Sequence, residues 1–269
     1  MKINSAANAL ALAALCCLPA QPPATGATLS HARRGDATPT TGARPASPTL
    51  PQPPPPPQQS PAPQTAMPQV DQWGDEFNGS ALDESKWERY TFEGGGGGKL
   101  EVSGGQLRLR SASKTRAGVR TKQSFNADHF SVEAVVAKVG PQLPEAGDRS
   151  SDLGFAALTL LFDGAGRNRV EWIFTSEHTL EAWSVVDGVA ERLDNRKLAL
   201  KFDNPVLAVV RRGDDFLFVI NKPDGAPQDA QIALQKTIKN LPRTFRVMLY
   251  GFGSSQNEWD SVRVVTAKQ

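Results

Sequence analysis

Cysteine is almost missing from this 269-residue chain: Cys16 and Cys17 are the only two, both within the first twenty residues. A chain cut after Ala20 would have none, which excludes a disulfide, a thiolate metal site and a cysteine nucleophile. No apolar run reaches the roughly 18 residues a membrane-spanning helix needs. Basic surplus is also lacking where a nucleic-acid binder would need it. Residues 71–269 carry 26 basic and 27 acidic side chains, and the chain's net +2 arises from Lys2, Arg33, Arg34 and Arg44 near the N-terminus. No basic stripe with interleaved aromatics occurs there. Histidine (three) and tyrosine (two) are scarce, and neither a Ser-His-Asp order nor H-E-x-x-H is present. The first 70 residues hold none of the 19 aromatics but 15 of the 21 prolines. They cannot build a core, whereas the remaining 199 residues can.

What is present begins with a leader. Lys2 supplies a short positive region, residues 6–18 are Ala- and Leu-rich, and small residues follow, with Ala20 the favoured cleavage position. This reads as a secretory signal peptide over residues 1–20, so the protein is expected to be secreted or periplasmic. Lipid anchoring at Cys16 or Cys17 is the lesser alternative, because Leu15 or Cys16 stands where a lipoprotein signal has a small residue. Residues 21–70 form a Pro-rich spacer, with five consecutive prolines from Pro53 to Pro57, a composition that favours extended polyproline II.

Residues 71–269 read as all-β. Short β-prone runs at 107–110, 130–139, 155–162, 169–174, 180–186, 206–211, 216–221, 245–252 and 259–265 are separated by turn residues. Arg212-Gly213-Asp214-Asp215 between two runs marks a hairpin. Many short strands predict a sandwich or jelly roll. One short helix is expected around residues 229–240, from Ile232, Leu234 and Ile238. Period-two alternation puts Val170, Trp172 and Phe174 on a core face, and Arg169, Glu171 and Ile173 on a partly exposed one. Trp73, Trp87, Trp172 and Trp259 are expected inside or at the edge of the core. The Gly94–Gly98 run ending in Lys99 is no phosphate loop, since Glu93 stands at the first glycine position and Leu100 follows the lysine.

The stretch D-E-F-N-G-S-A-L-D-E-S-K-W from Asp75 to Trp87 resembles the opening of the concanavalin A-like lectin/glucanase superfamily, which includes family-16 glycoside hydrolases and laminin-G-like modules. S-G-G-Q-L-R-L from Ser103, F-S-V-E-A from Phe130 and N-E-W-D-S-V-R-V from Asn257 resemble later strands of that fold, in the same order. The resemblance covers nearly all of 71–269 and implies a concanavalin A-like jelly roll. Fold does not dictate function. Family-16 hydrolases carry E-[IL]-D-[IF]-x-E on one strand. Here R-V-E-W-I-F has only Glu171, with Ile173 and Thr175 two and four places on. One carboxylate cannot serve as both acid and nucleophile, so no catalytic residue carries over.

The resemblance also implies one structural calcium, with ligands at Glu76, Gly105 and Asp260: main-chain oxygens plus one carboxylate, a hard donor set suited to Ca²⁺. For sugar recognition, which combines ring stacking with a few polar groups, the candidates are Trp183, Glu171, Arg169 and Glu181, with Arg211 or Asn221 from later strands. The leading expectation is an exported, non-catalytic module that binds a polysaccharide or other glycan. The alternatives are a divergent glycoside hydrolase or polysaccharide lyase, with Glu171 and Glu181 as a composite acid pair, and an envelope domain whose partner is another protein.

Overall fold

The computed structural model describes residues 70–92, 98–111, 115–141, 154–194, 198–200, 203–252 and 255–267. The leader, both cysteines, nearly all of the Pro-rich spacer and most of the glycine run lie outside these residues.

The described residues form seventeen strands. The first six are β1 (Val70–Asp75), β2 (Trp87–Thr91), β3 (Lys99–Ser103), β4 (Gln106–Arg110), β5 (Arg116–Thr121) and β6 (Phe125–Asn126). The next six are β7 (His129–Val139), β8 (Phe155–Leu161), β9 (Arg169–Thr175), β10 (Thr179–Val186), β11 (Val189–Arg192) and β12 (Leu198–Ala199). The last five are β13 (Val206–Arg212), β14 (Asp215–Asn221), β15 (Gln231–Thr237), β16 (Thr244–Phe252) and β17 (Gln256–Ala267). They build two antiparallel sheets. An eight-stranded sheet runs β15-β14-β13-β7-β17-β4-β3, with β1 also on β17. A nine-stranded sheet runs β11-β10-β9-β8-β16-β5-β2, with β12 on β10 and β6 on β16. Each sheet turns one face into a shared core, as expected for a sandwich. Phe130, Val132, Ala134, Leu207, Val209, Phe216, Phe218 and Trp259 come from the eight-stranded sheet; Trp87, Val119, Leu158, Val170, Trp172, Phe174, Val247 and Leu249 come from the other.

The opening motif has a local physical cause. Asp75 Oδ1 accepts the Phe77 amide at 2.9 Å, and Oδ2 accepts the Trp87 indole N–H at 2.8 Å. Asp83 holds the turn between them, its carbonyl accepting the amides of Lys86 and Trp87. Trp87 is buried, and Trp73 packs edge-on against it at 5.4 Å from the half-buried rim.

The hairpin is formed by β13 and β14, which pair from Val206↔Asn221 to Arg212↔Asp215, with Gly213 at φ +62° in the turn. The expected helix does not form. A 3₁₀ turn over Pro227–Asp229 leads into β15, which pairs with β14. In β15 Leu234 is buried and Ile232 is 53% exposed: a register shift pairs them with the adjacent Phe218 and Val219, which turns two residues that regular alternation would put on one face to opposite faces.

Candidate functional site

The alternation of β9 separates two environments. Val170, Trp172 and Phe174 enter the core as expected, and the Trp172 indole donates to the Val219 carbonyl at 3.1 Å. The opposite face is less open than the sequence implied. Glu171 and Ile173 are each only 6% exposed. The cause is a second apolar layer outside the nine-stranded sheet: Ala157, Leu161, Ile173, Met248 and Tyr250, with Tyr90, Phe92, Phe155 and Trp183 against it.

The four candidate sugar-binding residues do meet on this outer face. Trp183 lies directly across from Glu171, and Glu181 across from Ile173, on adjacent β10 and β9. Arg169 Nε donates to Glu171 Oε1 at 2.8 Å, and Arg192 Nη2 to Glu181 Oε1 at 3.1 Å. The Trp183 indole donates to Glu181 Oε2 at 3.1 Å, and the Arg192 guanidinium lies 5.9 Å from the Trp183 ring centre. The half-buried Trp183 is thus already engaged rather than bare.

Distant strands complete the face. Across β8, β16 and β5 the register carries Glu171 to Thr159, Met248, Arg120 and Glu88. Glu88 accepts from Arg120 Nε at 2.6 Å and Arg246 Nη1 at 2.9 Å, and the Arg120 bond holds its carboxyl below the ordinary range. Tyr250 donates its hydroxyl to Glu171 at 3.0 Å, and Phe92 packs edge-on against Tyr250 at 5.4 Å. Burial, reinforced by the Glu171 charge, pushes the Tyr250 phenol well above its usual value. Gly118 makes room here: a Cβ would stand 2.8 Å from Tyr250 Cβ and 2.0 Å from the Leu249 carbonyl.

Two other candidates are structural. Arg211 points into the core, donating to the carbonyls of Gly213, Pro242 and Leu241 between the rings of Phe162 and Phe216. Its phase with Leu207 and Val209 was a readable signal of that inward direction. Asn221 is buried and braces the next turn through Ala226 and Lys222. Sequence reasoning missed Tyr90, Phe92, Arg120, Arg246 and Tyr250, because only the sheet order brings β2, β5 and β16 to this face.

The three metal candidates lie in elements that touch. Gln106 Nε2 donates to Asp260 Oδ1 at 2.8 Å, and Asn78 Oδ1 sits 3.7 Å from where a Gly105 Cβ would be. Among the described residues no group of three or more His, Cys, Asp or Glu is placed to hold a metal. A cavity of about 520 Å³ lies beside this opening loop, between Asp75, Glu76, Lys86 and Arg263.

The sequence matches no protein-family model and no curated protein. Solved structures do match. SCLam, a non-specific endo-β-1,3(4)-glucanase of family GH16, superposes with a TM-score of 0.53 at 12% identity, covering 75% of this chain and 95% of its own. A β-1,3-glucanase from Mycobacterium marinum gives 0.48 at 16% identity over 71% and 97%. The carbohydrate-binding module CBM66 from Bacillus subtilis gives 0.41 at 14% over 69% and 94%. The fold is therefore the glucanase-like, concanavalin A-like jelly roll that the opening motif resembled.

Proposed function

We propose that residues 71–269 form an exported, non-catalytic glycan-binding module. The observation that carries this reading is the outer face of the nine-stranded sheet, where Trp183, Glu171, Arg169 and Glu181 converge with Tyr90 and Phe92 while Glu88, Glu171 and Glu181 are each held by a guanidinium. Hydrolysis by a retaining mechanism needs one carboxyl free to attack and one to give a proton. Glu171 is buried between Arg169 and Tyr250, and Glu181 is tied to Arg192 and Trp183. A lyase needs an accessible base, and the 1%-exposed Tyr250 keeps its proton instead. Export is the companion proposal, resting on the leader-like residues 1–20.

A glycan array probed with the exported protein, calcium present, tests the reading. Selective retention on one linkage class without product release is expected; a blank array would refute it. The oxygen donors at Glu76, Gly105 and Asp260 suit a single structural calcium that would tie the opening loop to β17. Chelation is then expected to lower the melting temperature without touching the arginine-bearing face.

A further inference from the structure

We infer that the outer face of the nine-stranded sheet takes an acidic glycan, one bearing carboxylate or sulfate groups, rather than a neutral one. This rests on the glycan-binding reading above and narrows its ligand class. Four aromatic side chains on that face each lie near a guanidinium. Arg120 is 4.1 Å from the Tyr90 ring centre and Arg169 4.8 Å from that of Phe92. Arg116 is 5.9 Å from Phe252 and Arg192 5.9 Å from Trp183. A neutral sugar stacks on bare rings and gives its hydroxyl protons to carboxylates. Here cations already stand over the rings, and Glu88, Glu171 and Glu181 already accept from arginine.

What the face offers is guanidinium. Among the described residues Arg120, Arg169, Arg192 and Arg246 share it with three carboxylates, Glu88, Glu171 and Glu181, an excess of one positive charge among these seven groups, because Arg120 and Arg246 converge on Glu88. The excess is local, because residues 71–269 as a whole carry 26 basic against 27 acidic groups. Two of these arginines are also fixed from behind. Arg120 Nη1 donates to the Gly164 carbonyl at 3.1 Å and Arg169 Nη1 to that of Gly166 at 2.6 Å. A guanidinium has five N–H donors in a rigid planar fork matched to carboxylate and sulfate oxygens. Stacked and anchored, it loses little freedom when an anionic group arrives.

Calorimetry with the whole exported protein separates the outcomes, using polygalacturonate for carboxylate, dextran sulfate for sulfate, laminarin and xylan as neutral glycans, and single-stranded DNA as an unrelated polyanion. Binding to at least one acidic glycan, weakened by salt and absent with the neutral ones, is expected; which acidic polymer binds tells carboxylate from sulfate. Arg246→Gln and Arg192→Gln should each weaken that binding by about tenfold, the scale of a lost charge-assisted hydrogen bond. Arg108→Gln, on the outer face of the eight-stranded sheet, should leave it unchanged, and matching near-UV spectra will show all three folded. Equal affinity for laminarin or xylan overturns the acidic preference and leaves the glycan reading standing. DNA bound as tightly, or binding indifferent to Arg246 and Arg192, overturns it as mere charge attraction. Silence toward every glycan sinks the underlying reading itself.

Discussion

The outer faces of the two sheets carry the same kind of strand and solve burial in opposite ways. On the nine-stranded sheet each outward glutamate is held by arginine, and arginines stand over the aromatic rings. On the eight-stranded sheet the middle outward positions of β13 and β14, Ala208, Val210, Leu217 and Val219, are all buried. Glu133, on β7 beside Ala208 in the register, has Arg263 across from it, yet burial outweighs that charge and pushes its carboxyl up to about 7. The arginine-bearing face is organised around charge, the β13–β14 part of the other around its removal.

Breaking that organisation at its centre should give the largest effect. Glu171→Ala leaves the Arg169 guanidinium, 13% exposed, and the buried Tyr250 hydroxyl without their shared acceptor. Removing one member of a buried pair costs about 3–5 kcal/mol. Urea unfolding should show an unfolding free energy lower by that amount; a loss below about 1 kcal/mol would mean the pair is not integral to the sheet.

The equivalent change on the opposite face should have the other sign. Glu133 binds its proton more tightly when folded, at about 7 against an ordinary 4.5. Its contribution to stability is complete below about pH 4.5 and is lost as pH rises through 7. Glu133→Gln should therefore stabilise the protein at pH 8 by roughly 1–3 kcal/mol and change little at pH 4. Melting curves at the two pH values check this, and equal shifts at both would show that titration is not the cause.

Part of this contrast was legible in the sequence. The alternation of β9 put Arg169 and Glu171 opposite Val170 and Trp172, because side-chain direction in a strand is a local property. The opening motif was legible for a similar reason: Asp75 serves Phe77 and Trp87 within a dozen residues. The arginine–aromatic face was not legible. Phe92, just after β2, reaches Arg169 only through a sheet that places β2, β5, β16, β8 and β9 side by side, an order no periodicity encodes. Nor was the burial of Glu171, which depends on Tyr250, 79 residues away. The edge strand β15 was misread as a helix because Ile232, Leu234 and Ile238 fit a loose helical spacing as well as a strand.

A gentler cut separates the hydrogen bond from the charge pair. Tyr250→Phe keeps the ring against Phe92 but removes the donor to Glu171, whose Arg169 partner remains. The loss should be about 1–1.5 kcal/mol, the scale of one hydrogen bond. A loss equal to that of Glu171→Ala would show that phenol and guanidinium act as one unit, which a double-mutant cycle then measures.

The smallest effect belongs to the rim. Glu88 is 34% exposed and accepts from Arg120 and Arg246, with the Arg120 bond lowering its folded pKa. Its contribution is present above its unfolded value, ordinarily 4.5, and fades as pH falls through the lower folded value. Water screens an ion pair this open, so Glu88→Gln should cost no more than about 1 kcal/mol at neutral pH, and less in high salt. Glu88→Gln should also flatten the acid limb of the stability curve, where Glu133→Gln flattens the limb between pH 4.5 and 7. The two faces would then be told apart by titration alone, since one loses stability as protons are added and the other as they are withdrawn.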